Sequence, residues 1–293
     1  MRRMIILAVI ALVIVLAIIV GIIVLGGGDA DKGTAEQHLN QGQKLADEGR
    51  YDDAIVELGK AIELNPNLAE SYSARGSAYT YKGQFDLAID DYTKVIELDP
   101  NNAVAYSKRG SAYTYKGQYD EAIADYTKAI ELDPNVELDP NMAIAYSNRG
   151  SAYYVNKQYD LAIVDYTKVI ELDPNKAAAY NNRGLAYKNM EKYDLAIADY
   201  TKAIKLDPNM VAAYNNRGSA YTYKGQYNLA IVDYTKLIEL DPNNAVAYYN
   251  RGSAYDINEQ DDLAIDDYNK VVELSEDPDL VDKANTQIEK LNK

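Results

Sequence analysis

The sequence predicts an all-α solenoid of seven helix-turn-helix units in a row. One further helix closes the stack, and one membrane-spanning helix precedes it. Three observations carry this prediction. The eight prolines stand at 66, 100, 134, 140, 174, 208, 242 and 278, and five of the seven intervals are 34 residues; a fixed period of that length marks a stacked repeat. The chain holds 28 Tyr against one Phe and no Trp, the palette of one unit copied many times. Finally, residues 4–25 are 22 apolar residues without a charge.

Those first residues read as a separate object. As a helix, 4–25 would be about 33 Å long, enough to cross a bilayer core. The run is too long for a signal-peptide core, so an uncleaved anchor is expected. Arg2 and Arg3, in the stub 1–3, should keep the N-terminus cytoplasmic and place the repeats outside. The glycines at 26–28 and the polar residues up to 34 read as a flexible linker. The stretch "DADKGT" resembles the start of a calcium loop, but Gly33 and Asn40 stand where ligands are needed.

The repeating region runs over 35–278, in units 35–68, 69–102, 103–136, 143–176, 177–210, 211–244 and 245–278. Residues 137–142 fall out of phase and nearly copy the six residues before them, so they read as an insertion lengthening one inter-repeat loop. Each unit reads as two helices. In the second unit, Gly83 ends the first helix, as a residue free to adopt positive φ. Phe85, Ala88, Ile89, Tyr92, Val95 and Ile96 then form an apolar stripe at helical spacing. Asp99-Pro100 ends that helix and is expected to begin the next, with Asp as cap and Pro in the first turn. Small residues recur where helices must approach closely: Gly76, Gly110, Gly150, Gly184, Gly218 and Gly252 on first helices, and Ala54, Ala88 and their equivalents on second helices. Residues 279–293 form a closing helix with Leu280, Ala284, Ile288 and Leu291 as its apolar stripe, the polar cap that a solenoid end needs.

The unit Tyr214…Gly218-Ser-Ala-Tyr221…Ala230…Tyr234…Pro242 resembles the tetratricopeptide repeat (TPR) family. The usual Leu before the glycine is Arg in repeats two to seven. The resemblance implies antiparallel helix pairs stacked into a right-handed superhelix whose concave face is lined mainly by first helices. The family's chaperone-tail clamp needs basic residues at set positions of the first helices. The fifth positions (Leu39, Ser73, Ser107, Ser147, Asn181, Asn215, Tyr249) and the second positions carry none, so that clamp is absent.

Composition narrows the function. The net charge is −15, and a surface of that sign repels nucleic acid, so no nucleic-acid partner is expected. With no cysteine there is no disulfide, thiolate metal site or thiol nucleophile. His38 is the single histidine, and no phosphate loop or catalytic constellation is present. Catalytic residues, metal and cofactor are therefore all read as none. The Arg column (75, 109, 149, 183, 217, 251) and the Asp column (91, 125, 165, 199, 233, 267) read as pairs between helices, because a half-buried charge needs a partner.

The leading functional reading is a membrane-anchored scaffold that binds a protein or peptide in its groove. Candidate contacts are Asn148, Asn182, Asn216 and Asn250, one per repeat at the sixth position of the first helix, with Ser151, Ser219 and Ser253 on the same face. An Asn amide offers both a donor and an acceptor to an extended peptide backbone. Tyr81, Tyr115, Tyr223 and Tyr249, off the repeating framework, add apolar contact. The second reading is an assembly component that joins copies of itself or an envelope complex through its outer face.

Overall fold

The computed structural model describes residues 34–132 and 140–292. The predicted anchor 4–25, its flanks and most of the insertion lie outside the described residues. Among the described residues the secondary structure is entirely helical, and no helix is long and apolar enough to cross a membrane.

The chain divides into two compact units, one ending at Pro134 and one beginning at Asn135. The first holds α1 (34–47), α2 (Tyr51–Leu64), α3 (Ala69–Tyr81), α4 (Phe85–Leu98), α5 (Ala103–Tyr115) and α6 (Tyr119–Leu132). The second holds α7 (Pro140–Val155), α8 (Tyr159–Leu172), α9 (Ala177–Asn189), α10 (Tyr193–Leu206), α11 (Val211–Tyr223), α12 (Tyr227–Leu240), α13 (Ala245–Ile257), α14 (Asp261–Leu274) and α15 (Pro278–Leu291). From α2 on in the first unit, and throughout the second, each helix packs against the next. First helices of neighbouring repeats also touch one another, as α3 with α5 and α9 with α11, so they form the inner side of each stack.

Within a repeat, the two helices are held at short range by a tyrosine. Tyr92, Tyr126, Tyr166, Tyr200, Tyr234 and Tyr268 on second helices are buried. Their rings lie so near the first-helix glycines that an added Cβ at Gly76, Gly110, Gly150, Gly184, Gly218 or Gly252 would stand 2.7–3.1 Å from a ring carbon. The column of alanines from Ala54 to Ala264 is fully buried on the same second helices. Repeat one uses Leu58 against Gly42 instead. At the far end α15 packs Leu280, Ala284, Ile288 and Leu291 around Tyr268 and Val271, while Asp282, Lys283, Glu289 and Lys290 face solvent.

Two details of the helix ends differ from the sequence reading. Asp99 does not cap the next helix. It follows α4, and its carboxylate accepts from the Asn101 N–H at 3.1 Å in a local turn. Pro100 sits in that turn, and the cap of α5 is Asn102, which accepts from the Ala105 N–H at 3.0 Å. Asp173 and Asp207 make the same turn. The short side chain bonds two residues ahead more readily than it reaches a helix starting four residues on. The insertion also does not remain wholly loop: its last three residues, 140–142, belong to α7. A proline is compatible with a helix's first turn, where its missing N–H would lack a partner anyway.

First helices end in a left-handed residue, as expected for Gly83 (φ 71°) and found at Gly49, Gly117 and Gly225. In repeats four, five and seven the same conformation is adopted by Lys157, Glu191 and Glu259, at φ 57–59°. A side chain there is strained by roughly 1 kcal/mol. Glu191→Gly should therefore raise stability by about 0.5–1 kcal/mol in urea unfolding; a loss would show that the Glu191 side chain supports the turn.

The buried tyrosines also set an alkaline limit. Burial pushes the Tyr92, Tyr126 and Tyr234 hydroxyls up, and those of Tyr166 and Tyr268 to about 12. The folded state holds these protons more tightly than the unfolded chain, whose tyrosines titrate near 10. Their contribution is complete below about pH 10 and is lost as pH rises toward 12. Phenolate absorbance and helicity followed together should show exposed tyrosines ionising first and the buried set ionising only with loss of helix. Ionisation of every tyrosine near pH 10 with helicity intact would contradict this.

Candidate functional site

The two helices of each repeat from the second on are joined by the Arg and Asp columns, which pair as the sequence suggested. In repeats two to seven, the Arg Nε and Nη2 each donate to one oxygen of the Asp sixteen residues on, at 2.7–2.9 Å. Each guanidinium also lies between two tyrosine rings of its own helix, such as Tyr72 and Tyr79 about Arg75, at 5.5–5.9 Å. The remaining Nη1 reaches back one repeat: Arg109 donates to Thr93, Arg183 to Thr167, Arg217 to Thr201 and Arg251 to Thr235, at 3.0–3.1 Å. One side chain thus joins two helices of its own repeat and the preceding repeat. In repeat one these columns hold Gln41 and Glu57, and His38 Nδ1 lies 2.6 Å from Glu57 Oε2, which gives the lone histidine a structural partner.

Beside this framework lie the asparagines. Asn216 Nδ2 donates to Asn181 Oδ1 at 3.0 Å, and Asn250 Nδ2 lies 3.5 Å from Asn215 Oδ1. Asn181 in turn donates to Asn182 Oδ1 at 3.3 Å. The candidate residues Asn182, Asn216 and Asn250 thus stand at one position along α9, α11 and α13, with Asn216 tied to Asn182 through the fifth-position Asn181 and Asn250 tied separately to Asn215. Asn148, on α7, holds the same position in its repeat. All four are half-buried. The Oδ1 atoms of Asn216 and Asn250 and the Nδ2 of Asn182 take no part in these bonds and remain available to a ligand. In the first unit the sixth position of α5 is Lys108, whose ammonium donates to Ser73 and Ser77 at 3.2–3.3 Å.

Ser151 and Ser253 do not join that row as free groups. Ser151 and Ser253 bond the buried hydroxyls of Tyr166 and Tyr268 at 3.2–3.3 Å, as Ser111 does for Tyr126. They satisfy the core.

The off-framework tyrosines make joints between repeats. Tyr81 stacks on Tyr51, Tyr115 on Phe85 and Tyr223 on Tyr193, with centroids 5.0–5.5 Å apart and planes within 10°. Each is the last residue of a first helix and remains 68–73% exposed. The next residue adds an ion pair to the same neighbouring helix: Lys82 with Asp52, Lys116 with Asp86 and Lys224 with Asp194. Where the pair becomes Asn258 and Asn228, a 3.0 Å amide hydrogen bond takes its place. Tyr249 instead lies tilted over Tyr268 at 5.6 Å. Tyr81 and Tyr115 belong to the first unit, apart from the four asparagines.

Comparisons with known proteins agree with this geometry. Profiles described as tetratricopeptide repeat match residues 103–136, 143–176, 177–210, 199–232 and 245–278, and a TPR repeat profile matches 42–80, 76–114 and 218–256. The matched residues span well over half of the sequence, and the chain belongs to the tetratricopeptide repeat family. Among solved structures it is similar to MamA, with 34% identity and a TM-score of 0.53, over 58% of this chain and 96% of that one. It is also similar to YrrB, described as a TPR protein with an unusual peptide-binding site, with 25% identity and a TM-score of 0.54, over 67% of this chain and 97% of that one. The C-terminal part of a TPR repeat-containing protein from Cytophaga hutchinsonii shares the fold at 22% identity, with a TM-score of 0.68, over 83% of this chain and 98% of that one. No curated protein sequence matches the chain.

The Arg–Asp pairs are costly to break and cheap to replace. Burial pushes the Asp165 and Asp233 carboxyls up even beside their guanidiniums, so desolvation offsets much of the attraction. Removing one partner leaves the other buried and alone, at about 3–5 kcal/mol, whereas an apolar pair of similar volume is near neutral. Arg217→Met should thus cost about 3 kcal/mol, and Arg217→Met combined with Asp233→Leu clearly less than either change alone. Additive losses in the double-mutant cycle would mean that the two side chains act independently.

Proposed function

We propose that the chain is a membrane-anchored scaffold that binds an extended protein or peptide segment along the inner face of its repeats, with no reaction of its own. The observation that supports this best is the carboxamide row of Asn182, Asn216 and Asn250, with Asn148 at the same position of α7. These groups recur once per repeat and keep unused donors and acceptors on one side, a pattern that suits a main chain, whose N–H and C=O groups recur regardless of sequence. The likeness to YrrB, whose description names a peptide-binding site, points the same way. The exposed Tyr223 and, in the first unit, Tyr81 and Tyr115 offer apolar contact for side chains of the partner, as does the half-buried Tyr249.

The anchor is residues 4–25, with the N-terminus cytoplasmic and the repeats on the opposite side. Its support is the uncharged span behind Arg2 and Arg3. Protease added to intact cells, or to spheroplasts where an outer barrier exists, should digest the repeats. Protection until lysis would reverse the topology.

A second reading, assembly through the outer face, is favoured by one feature: second helices expose Leu161, Val164, Leu229 and Val232. The two readings separate in one experiment. Changing Asn148, Asn182, Asn216 and Asn250 to Ala should lower stability by about 1 kcal/mol, from the loss of the row's own bonds. It should also weaken capture of partners from detergent-solubilised membranes by roughly 0.5–1.5 kcal/mol per lost hydrogen bond. Undiminished capture by the folded variant would reject the inner face as the binding surface.

A further inference from the structure

The first helices of the second unit carry little charge beyond their framework. Apart from the arginines held by aspartate, α7, α9, α11 and α13 contain only Lys188 and Asp256, and Asp256 accepts from Lys290 at 3.2 Å. The chain holds 45 acidic residues, and those of this unit sit on second helices, in turns and on the closing helix. A charged side chain laid across most of this inner face would lose water without gaining a counter-ion. The face therefore matches an uncharged occupant.

Exposed apolar side chains concentrate in the first and last repeats of that unit. In repeat four the second and thirteenth residues of the first helix are Ile144 and Val155, 55% and 50% exposed; in repeat seven they are Val246 and Ile257, 51% and 53% exposed. The sixth residue of each helix, the asparagine, shares a helix face with both, because the three positions fall within about 40° at 3.6 residues per turn. The second position stands about 6 Å along the helix from the asparagine and the thirteenth about 10 Å, and a side chain at the thirteenth leans back toward it. In the two middle repeats the second residue is only alanine, Ala178 or Ala212.

We propose that the second unit selects an uncharged, extended peptide segment with an apolar side chain near each end, about nine residues apart. Packed helices lie about 10 Å apart, and an extended chain advances about 3.3 Å per residue. A segment running across the first helices therefore passes about three residues per repeat, and about nine from repeat four to repeat seven. Side chains an odd number of residues apart point to opposite sides of an extended chain. A segment whose first apolar side chain meets Val155 then brings the second to Val246, and one that starts at Ile144 ends at Ile257. Both diagonals are apolar. The proposal rests on the inner-face reading: the asparagines hold the main chain, and the apolar ends choose the sequence and fix its register.

The test uses the full chain in lipid nanodiscs, with empty discs as the blank. The probe is a fluorescent, end-capped peptide of Ser, Thr and Asn carrying two leucines nine residues apart, followed by anisotropy. It should bind saturably and at least tenfold more tightly than the same peptide with both leucines changed to Asp or to Lys, or with the leucines placed side by side. Ile144→Ser combined with Val246→Ser removes one member of each diagonal and should weaken binding at least tenfold. Val164→Ser with Val232→Ser, on the exposed face of the second helices, should not. All four side chains are exposed, so melting temperatures should stay close to that of the parent chain and serve as the control. Equal binding of the charged or side-by-side peptides overturns the proposal, as does equal weakening by the two variant pairs. Pairing of loaded discs that Ile144→Ser with Val246→Ser abolishes would make a second copy the occupant and also overturn it. If that variant binds the probe undiminished while the variant lacking the four asparagines does not, the apolar ends fall and the inner-face reading stands. Undiminished binding by the asparagine variant rejects the reading itself.

Discussion

From the second repeat to the seventh, a tyrosine ring of the second helix rests on a glycine of the first, and much else follows from that contact. A ring placed there needs a neighbour without a Cβ, so the glycine column exists. The ring ends in a hydroxyl, which needs a partner inside the repeat, and the serine column supplies it in four repeats. The helices are then near enough for the Arg immediately before the glycine to meet the Asp immediately before the tyrosine as a two-bond pair. The guanidinium, lying between two tyrosines, has one nitrogen left for the preceding repeat. Spacing within a repeat and coupling between repeats thus come from a few linked columns.

This economy explains where function can be added. A solenoid is stabilised by contacts within and between neighbouring units, so positions outside the linked columns are free to vary. The sixth position of the first helix is one of these: it is Asn40, Ala74 and Lys108 in the first unit and asparagine in four successive repeats of the second. The thirteenth is another. It carries a stacked tyrosine at three joints between repeats, and Asp47, Val155, Asn189 or Ile257 elsewhere. Repeat five departs further, because Leu185 replaces a member of the serine column itself. That change leaves the Tyr200 hydroxyl without a hydrogen-bond partner, while Leu185 itself packs against the cluster around the ring.

Most of the framework was legible in the sequence, because a period of 34 residues lets each copy be read against the rest. The helix ends at Gly83 and its equivalents, the Arg–Asp pairing and the stripe of the closing helix all follow from spacing. Partners contributed by a neighbouring repeat were harder to read. Tyr81, Tyr115 and Tyr223 stood out as extra aromatics, but their stacking on Tyr51, Phe85 and Tyr193 depends on how one repeat lies against the next. A signal was present: each is followed by Lys, and the matching Asp becomes Asn228 where the Lys becomes Asn258. Ser151 and Ser253 were assigned to the groove from helical spacing alone, which cannot separate a groove-facing hydroxyl from one turned to a buried tyrosine. Asp99 was read as a cap, although a turn closed by its own carboxylate fits the same residue; before Pro278, Asp277 does cap the helix that follows. The exception at Leu185 is visible in the sequence as a lone apolar residue in a serine column. Its meaning needed the buried hydroxyl beneath it.

The dependence of the fold on the ring-and-glycine contact is tested most directly by Gly218→Ala, read by thermal and urea unfolding of the full chain. Helix propensity alone favours the alanine by about 1 kcal/mol. The added Cβ would stand 2.8 Å from Tyr234 Cε1, and the ring is buried and cannot turn away. Overpacking of this kind costs about 1–3 kcal/mol. The account predicts a net loss of stability that the further change Tyr234→Leu partly relieves. A gain of about 1 kcal/mol from Gly218→Ala, as propensity alone requires, would contradict it.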